Sequence, residues 1–153
     1  DAFEKPKIIY PNICKQPEFT FNGDGVYTNQ KCFIISMPDK FLLGLLNSSV
    51  VFFLFLSFFP KLRVDFYEPS YVYFKNFPIR TLTLSNPTEK AQHDHMVTLV
   101  ETMLTLHESK AVSKTPDAAI ERQISETDKA IDALVYQLYD LTPEEIAIVE
   151  GGK

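Results

Sequence analysis

Between Lys61 and Arg80 the chain sets basic side chains among aromatic and amide ones: Lys61, Arg63, Lys75 and Arg80 alternate with Tyr67, Tyr71, Tyr73 and Asn76. That mixture suits nucleic acid. Lys and Arg neutralise phosphates, while Tyr, Asn and Arg can hydrogen-bond to base edges. An ordinary exposed sheet carries the same residues, so composition alone leaves both readings open.

Other reactive groups fall away on spacing. Gly23-Asp24-Gly25 lacks the strand and helix that flank a phosphate-binding loop and reads as a turn. His93-Asp94-His95 has a metal-like look, but residues i and i+2 of a helix point about 200° apart. His107 shares a face with His93 and brings no third ligand. Pro38-Asp39 with Glu108-Ser109-Lys110 imitates a nuclease pattern, yet its second half falls at the end of a long helix rather than on a strand. Cys14 and Cys32 read as small core residues. Asn47-Ser48-Ser49 is a glycosylation sequon inside an apolar run, where it carries no meaning. No acid–base dyad or nucleophilic triad survives, so neither a catalytic residue nor a metal ligand is assigned.

The chain has 153 residues, enough for one domain with a sizeable core, or a domain with an appendage. Two cysteines make no disulfide framework, and the default is a reducing, cytoplasmic setting. The opening Asp1-Ala2-Phe3-Glu4-Lys5-Pro6 is polar and lacks Met, which reads as a processed chain or a piece of a longer one without a signal peptide. The net charge of −5 hides an asymmetry. Residues 1–85 carry nine Lys/Arg against seven Asp/Glu, a balance of +2; residues 86–153 carry six against thirteen, a balance of −7. Only the front part can offer phosphate a basic face.

The elements that would position the 61–80 segment follow from pattern. Lys7-Ile8-Ile9-Tyr10 reads as a strand. Glu18 to Phe21 and Val26-Tyr27, joined by Asn22-Gly23-Asp24-Gly25, read as a hairpin. Lys31 to Met37 is a further strand. Phe41 to Phe59 is nineteen residues without a charge. Its length permits a membrane span, but Asn47, Ser48 and Ser49 near its middle oppose one. Lys40, Gly44 and Asn47 share one face, and basic residues flank both ends. The reading is one helix starting near Asp39, buried in the domain with strands around it; a membrane segment is the rival. Leu62 to Tyr67 alternates as a strand, Glu68-Pro69-Ser70 turns the chain, and Tyr71-Val72-Tyr73-Phe74 returns as a second strand.

Helices then take over. Asn86 caps and Pro87 opens a helix to about Ala111, with a stripe of Met96, Val97, Val100, Met103, Leu104 and His107. After a short loop and Thr115-Pro116, the residues Ile120, Ile124, Thr127, Ile131, Leu134 and Leu138 form a heptad seam. Two stripes and a short connection predict an antiparallel helical hairpin. Thr142-Pro143-Glu144-Glu145 is a capping box for a last short helix ended by Gly151-Gly152. The expected class is therefore α+β: a mixed β-strand unit around one buried apolar helix (1–85), then a helical hairpin and a short C-terminal helix (86–153).

Four blocks carry a resemblance: Lys7-Ile8-Ile9-Tyr10-Pro11-Asn12-Ile13; Leu42-Leu43-Gly44-Leu45-Leu46-Asn47-Ser48; Phe77-Pro78-Ile79; and Glu126 to Thr142, with its Ile-Asp-x-Leu-Val-Tyr-x-Leu-Tyr-x-Leu-Thr pattern. In this order they resemble the TaqI-like C-terminal specificity domain of type IIG restriction–modification enzymes and adenine-specific DNA methyltransferases. The last block is the most specific. The resemblance implies that residues 1–85 recognise double-stranded DNA and that residues 86–153 space them from a catalytic methyltransferase domain of the same parent chain. The Asn-Pro-Pro-Tyr signature of that methyltransferase is missing, so the fragment should catalyse nothing. It should hold no cofactor; S-adenosylmethionine, with Mg2+ as the other candidate, belongs in the parent. No membrane partner is implied. Within the 61–80 segment, Arg63 on a strand is expected to contact a base, while Arg80 sits where the chain leaves for the helices. The competing function is a protein–protein adaptor working through the helical hairpin, and a membrane-tethered fragment is the third reading.

Overall fold

The computed structural model describes residues 3–63, 65–113 and 115–151. Among these, three strands come first: β1 (Lys7–Pro11), β2 (Thr20–Asn22) and β3 (Cys32–Ile35). A helix pair follows, α1 (Lys40–Leu46) and α2 (Ser49–Phe58), then a small hairpin of β4 (Lys61–Arg63) and β5 (Phe66–Tyr67) and the single turn α3 (Tyr71–Phe74). The chain finishes with α4 (Pro87–Val112), α5 (Ala118–Leu138) and α6 (Pro143–Gly151). The class is α+β, with small antiparallel sheets.

β1 is the middle strand of its sheet. Ile8 stands opposite Phe21 of β2 on one side and Ile35 of β3 on the other. The hairpin expected over residues 18–27 does not form. Gly25 does take a left-handed turn conformation, at φ 71°, but β2 spends its backbone bonds on β1 and Val26-Tyr27 is no strand.

The apolar run is not one helix. It breaks at Asn47-Ser48, and the two halves bend by 54°. Asp39 caps α1 as expected, its carboxylate accepting the Phe41 and Leu42 N–H groups. The break has a polar cause. The Asn47 amide accepts the Phe19 N–H at 3.0 Å and donates to the Phe19 carbonyl at 2.9 Å, fastening the segment ahead of β2. The Ser48 hydroxyl donates to the Leu45 carbonyl at 2.7 Å and caps α2 through the Val51 N–H. Short polar side chains compete with the helix ladder in this way. Among the described residues no single helix is long and apolar enough to cross a membrane.

Helices, rather than the expected strands, supply most of the cover. α1 packs on α4, α5 and β2, and α2 on α5 and α6. Gly44 sets the closeness of α1 to α4: a Cβ there would stand 2.5 Å from Met96 Sδ and 2.9 Å from Val100 Cγ2. Beside it Lys40 pairs with Glu101 at 2.6 Å. The face that looked polar in sequence is therefore the seam with α4. Ile8, Phe55, Met96 and Val135 belong to one buried cluster, which draws on both sides of the boundary expected near residue 85.

The block Glu126 to Thr142 is the fastening between α5 and the rest, and it lies on α5 and the turn after it. Ile131, Leu134, Val135 and Leu138 are buried. Asp132, 7% exposed, accepts the Ser49 N–H at 2.7 Å and bonds the Ser49 hydroxyl, at the first turn of α2. Burial, and after it the Asp132 carboxylate, pushes the Tyr136 phenol up to about 12. Tyr139 Oη donates to the Pro78 carbonyl at 2.7 Å and accepts the Arg80 N–H at 3.0 Å. Thr142 and Glu145 exchange the reciprocal bonds of the expected capping box.

Two stability measurements follow. Gly44→Ala should lose about 1–3 kcal/mol, because stiff Val100 must give way to the added methyl; an unchanged urea midpoint would mean the α1–α4 seam is loose. Asp132→Ala should lose about 2–3 kcal/mol, leaving the Ser49 donors without their charged acceptor. Exposed Glu121→Ala, which removes only the 2.8 Å surface pair with Lys110, should stay under about 0.5 kcal/mol; equal losses at both positions would refute the fastening role of Asp132.

Candidate nucleic-acid interface

The 61–80 segment was expected to hold two alternating strands; it folds instead as the β4–β5 hairpin followed by α3. The hairpin pairs Lys61 with Tyr67 and Arg63 with Phe66, with a register shift between Lys61 and Arg63. Its inner strand is tied to the body through one residue: Tyr67 donates its N–H to the Cys14 carbonyl at 2.8 Å, and Cys14 returns its own to the Tyr67 carbonyl at 3.1 Å. Tyr67 is thereby buried, at 3% exposure. Its expected place in the DNA-facing set is corrected to one of support, because its ring is buried while Lys61, its partner across the hairpin, and Arg63 are exposed.

α3 forms where a strand was expected. The sequence Tyr71-Val72-Tyr73-Phe74 has strand-forming residues, but the Ser70 carbonyl accepts the Tyr73 and Phe74 N–H groups and the Tyr71 carbonyl accepts that of Lys75, closing a helical turn that delivers Phe74 to the ring cluster. Phe74 lies 5.7 Å from both Tyr10 and Phe19 and 5.2 Å from Phe77 between ring centres, and Phe77 stacks on Phe59 at 5.0 Å. The turn so anchored leaves Tyr71, Val72 and Tyr73 exposed, followed by exposed Lys75 and Asn76.

One basic side chain joins the hairpin from far away in sequence. Lys15 Nζ stands 5.0 Å over the Phe66 ring, as Lys61 Nζ stands 5.7 Å over that of Tyr67, at cation–π range. Sequence reasoning missed Lys15, since no spacing relates it to residue 66. Another basic residue leaves the group. The Arg80 guanidinium lies 3.9 Å from the Glu89 carboxylate in the first turn of α4, and its backbone is held by Tyr139. The structure thus gathers Lys15, Lys61 and Arg63 on the hairpin, sets Lys75 and Asn76 after α3, and takes Arg80 to the helical side. Lys15, Lys61, Arg63 and Lys75 are exposed and form no ion pair among the described residues. Asp65 and Glu68 are the acids between Lys61 and Arg80. What such a face can do is bind phosphate and present donors to bases.

The His93-Asp94-His95 group has a local explanation. His93 stacks on Phe41 at 5.4 Å and bonds Asp94, which Lys90 also holds, so the Asp94 carboxyl lies below its ordinary range. Among the described residues no three His, Cys, Asp or Glu side chains converge as metal ligands.

Cys14, beneath the hairpin, reports on this arrangement. It is 4% exposed, and burial, with Glu18 acting in the same direction, pushes its thiol up to about 11. The thiolate is the reactive form. At pH 8 a disulfide reagent should therefore label half-buried Cys32 well before Cys14, with Cys14 reacting only as the hairpin opens. Equally fast labelling of both thiols would show that the hairpin does not cover Cys14.

Compared with known proteins, the chain matches the family model of the TaqI-like C-terminal specificity domain over residues 1–79, more than half of its 153 residues. No curated protein matches it. The match takes in the β1–β3 sheet, the bent helix pair, the basic hairpin and α3, and the family's role is DNA sequence recognition in restriction–modification enzymes, without catalysis of its own. The chain belongs to the TaqI-like C-terminal specificity domain family.

Proposed function

We propose that this chain reads DNA sequence through the β4–β5 hairpin and the α3 turn, and so directs an S-adenosylmethionine-dependent adenine methyltransferase or endonuclease carried upstream on the same parent polypeptide. The observation that carries the reading is the set of exposed cations Lys61 and Arg63 on the hairpin and Lys15 over its Phe66 ring, none in an ion pair among the described residues, with the inner side of the hairpin fixed to the core by Cys14. Arg63 makes the base contact, since it sits on the outer strand near the tip. Lys61, Lys15 and Lys75 hold phosphates, and Tyr71, Tyr73 and Asn76 add polar contacts beside them. Arg80 is a joint to the helices.

Residues 86–153 act as the spacer that sets distance and angle to the catalytic domain. Their acidic balance suits a surface facing protein or solvent rather than phosphate. Any S-adenosylmethionine, and Mg2+ if the parent cuts, is held by that other domain.

The isolated chain should bind duplex with a Kd of roughly 10⁻⁴ to 10⁻⁶ M and lose affinity steeply with salt, because most phosphate contacts lie on the catalytic domain. Lys61→Ala should weaken every sequence alike and reduce the salt slope by about one. Arg63→Ala should cost about 1–3 kcal/mol on the preferred sequence and relax one position of it. Titrations on a randomised duplex pool and its selected members measure both. A chain that retains no duplex at low salt would sink this reading in favour of an adaptor working through α4 and α5.

A further inference from the structure

We infer that a second element reads DNA beside the hairpin: the turn Asn29-Gln30-Lys31, with the Gln30 side chain contacting a base and Lys31 a phosphate. The inference rests on the reading of the β4–β5 face as a DNA surface and extends that surface to a loop outside the 61–80 segment.

The turn and the hairpin are held by one short piece of chain. Asn12 donates its N–H to the Lys31 carbonyl at 2.9 Å, and two residues later Cys14 exchanges both backbone bonds with Tyr67 of β5. Two residues span at most about 7 Å, so the two elements are neighbours. The turn is also tied internally. Asn29 Oδ1 accepts the Lys31 N–H at 2.9 Å, the Asn29 carbonyl accepts the Cys32 N–H at 3.1 Å, and Asn12 Nδ2 reaches the Gln30 carbonyl at 3.4 Å. Its backbone is fixed, whereas the exposed Gln30 amide makes no hydrogen bond among the described residues. With the backbone already fixed, only the side chain has to be ordered on binding. A glutamine amide has one donor and one acceptor side by side, the pattern that pairs in bidentate fashion with adenine N7 and N6 in the major groove. Exposed Lys31 follows directly, and Lys15 stands one residue beyond Cys14; neither forms an ion pair among the described residues. Two cations thus belong to the stretches that join the turn to the hairpin, which suits a phosphate backbone running past both elements.

The test uses the 153-residue chain, immobilised, to select from a randomised duplex library at low salt. Gln30→Ala should lose a preference for adenine at one position by roughly 5- to 150-fold, with the salt slope unchanged. Gln30→Glu should replace that adenine by cytosine, whose amino group donates to a carboxylate. Lys31→Ala should weaken all sequences alike and flatten the salt slope by about one. If Arg63→Ala alters the selected sequence while both Gln30 variants leave every position unchanged, this inference falls and the hairpin reading stands. A wild-type chain that holds duplex without preferring any sequence also overturns it. A wild-type chain that holds no duplex overturns both.

Discussion

A carboxylate taken out of water must be bonded on arrival, or it destabilises the fold that buries it. Asp132 meets that condition at the start of α2, where it receives the Ser49 N–H and hydroxyl and where the partial positive charge of a helix N-terminus favours an anion. The contact fixes α5 to α2 in one register, because Ser49 is the residue just past the break in the apolar run. The 61–80 segment is then referenced to that joint from both ends. From α2, Phe55 and Phe59 lead into the ring cluster that seats Phe77 and Phe74 and hence α3. From α5, Tyr139 reaches Pro78 and Arg80, where the segment ends. A surface that discriminates among ligands must hold its donors within fractions of an ångström, and the core beneath the 61–80 segment is made by both halves of the chain.

The same joint explains how nineteen uncharged residues serve as the centre of a folded domain. An apolar helix of that length could satisfy its own backbone in lipid. Asn47 and Ser49 instead send their polar groups to Phe19 and Asp132, on two other parts of the chain, while Ser48 bonds back to Leu45 of α1. Each bond draws the break further into the protein. α1 then lies against α4 through Gly44, and α2 against α5 and α6.

Charge is divided to match. The front part carries a balance of +2 and residues 86–153 one of −7, so the basic face and the acidic one lie on different parts of the chain. Arg80 illustrates the division: its guanidinium is drawn to Glu89 and away from the hairpin, so the last cation of the segment marks the border between the two regions.

What the sequence determined by itself was whatever short-range chemistry governs. The Asp39, Asn86 and Thr142 caps, Pro87 at the head of α4, β1, and the seam of α5 were all legible, since a cap or a stripe is complete within one or two helical turns. The Ile-Asp-x-Leu-Val-Tyr block was visible as a pattern, and the mixture of basic and aromatic residues over 61–80 was visible as composition. Tertiary structure decided the rest. It split the apolar run, because the partners of Asn47 and Ser49 lie 28 and 83 residues away. It made α3 a helical turn despite strand propensity, with Phe74 packed on Tyr10 and Phe19, residues more than fifty positions earlier. It sank Tyr67 against Cys14, recruited Lys15 to Phe66 and turned Arg80 toward Glu89. Which way a side chain on an exposed-looking strand faces depends on what that strand is fastened to, and the fastening is made by residues remote in the chain.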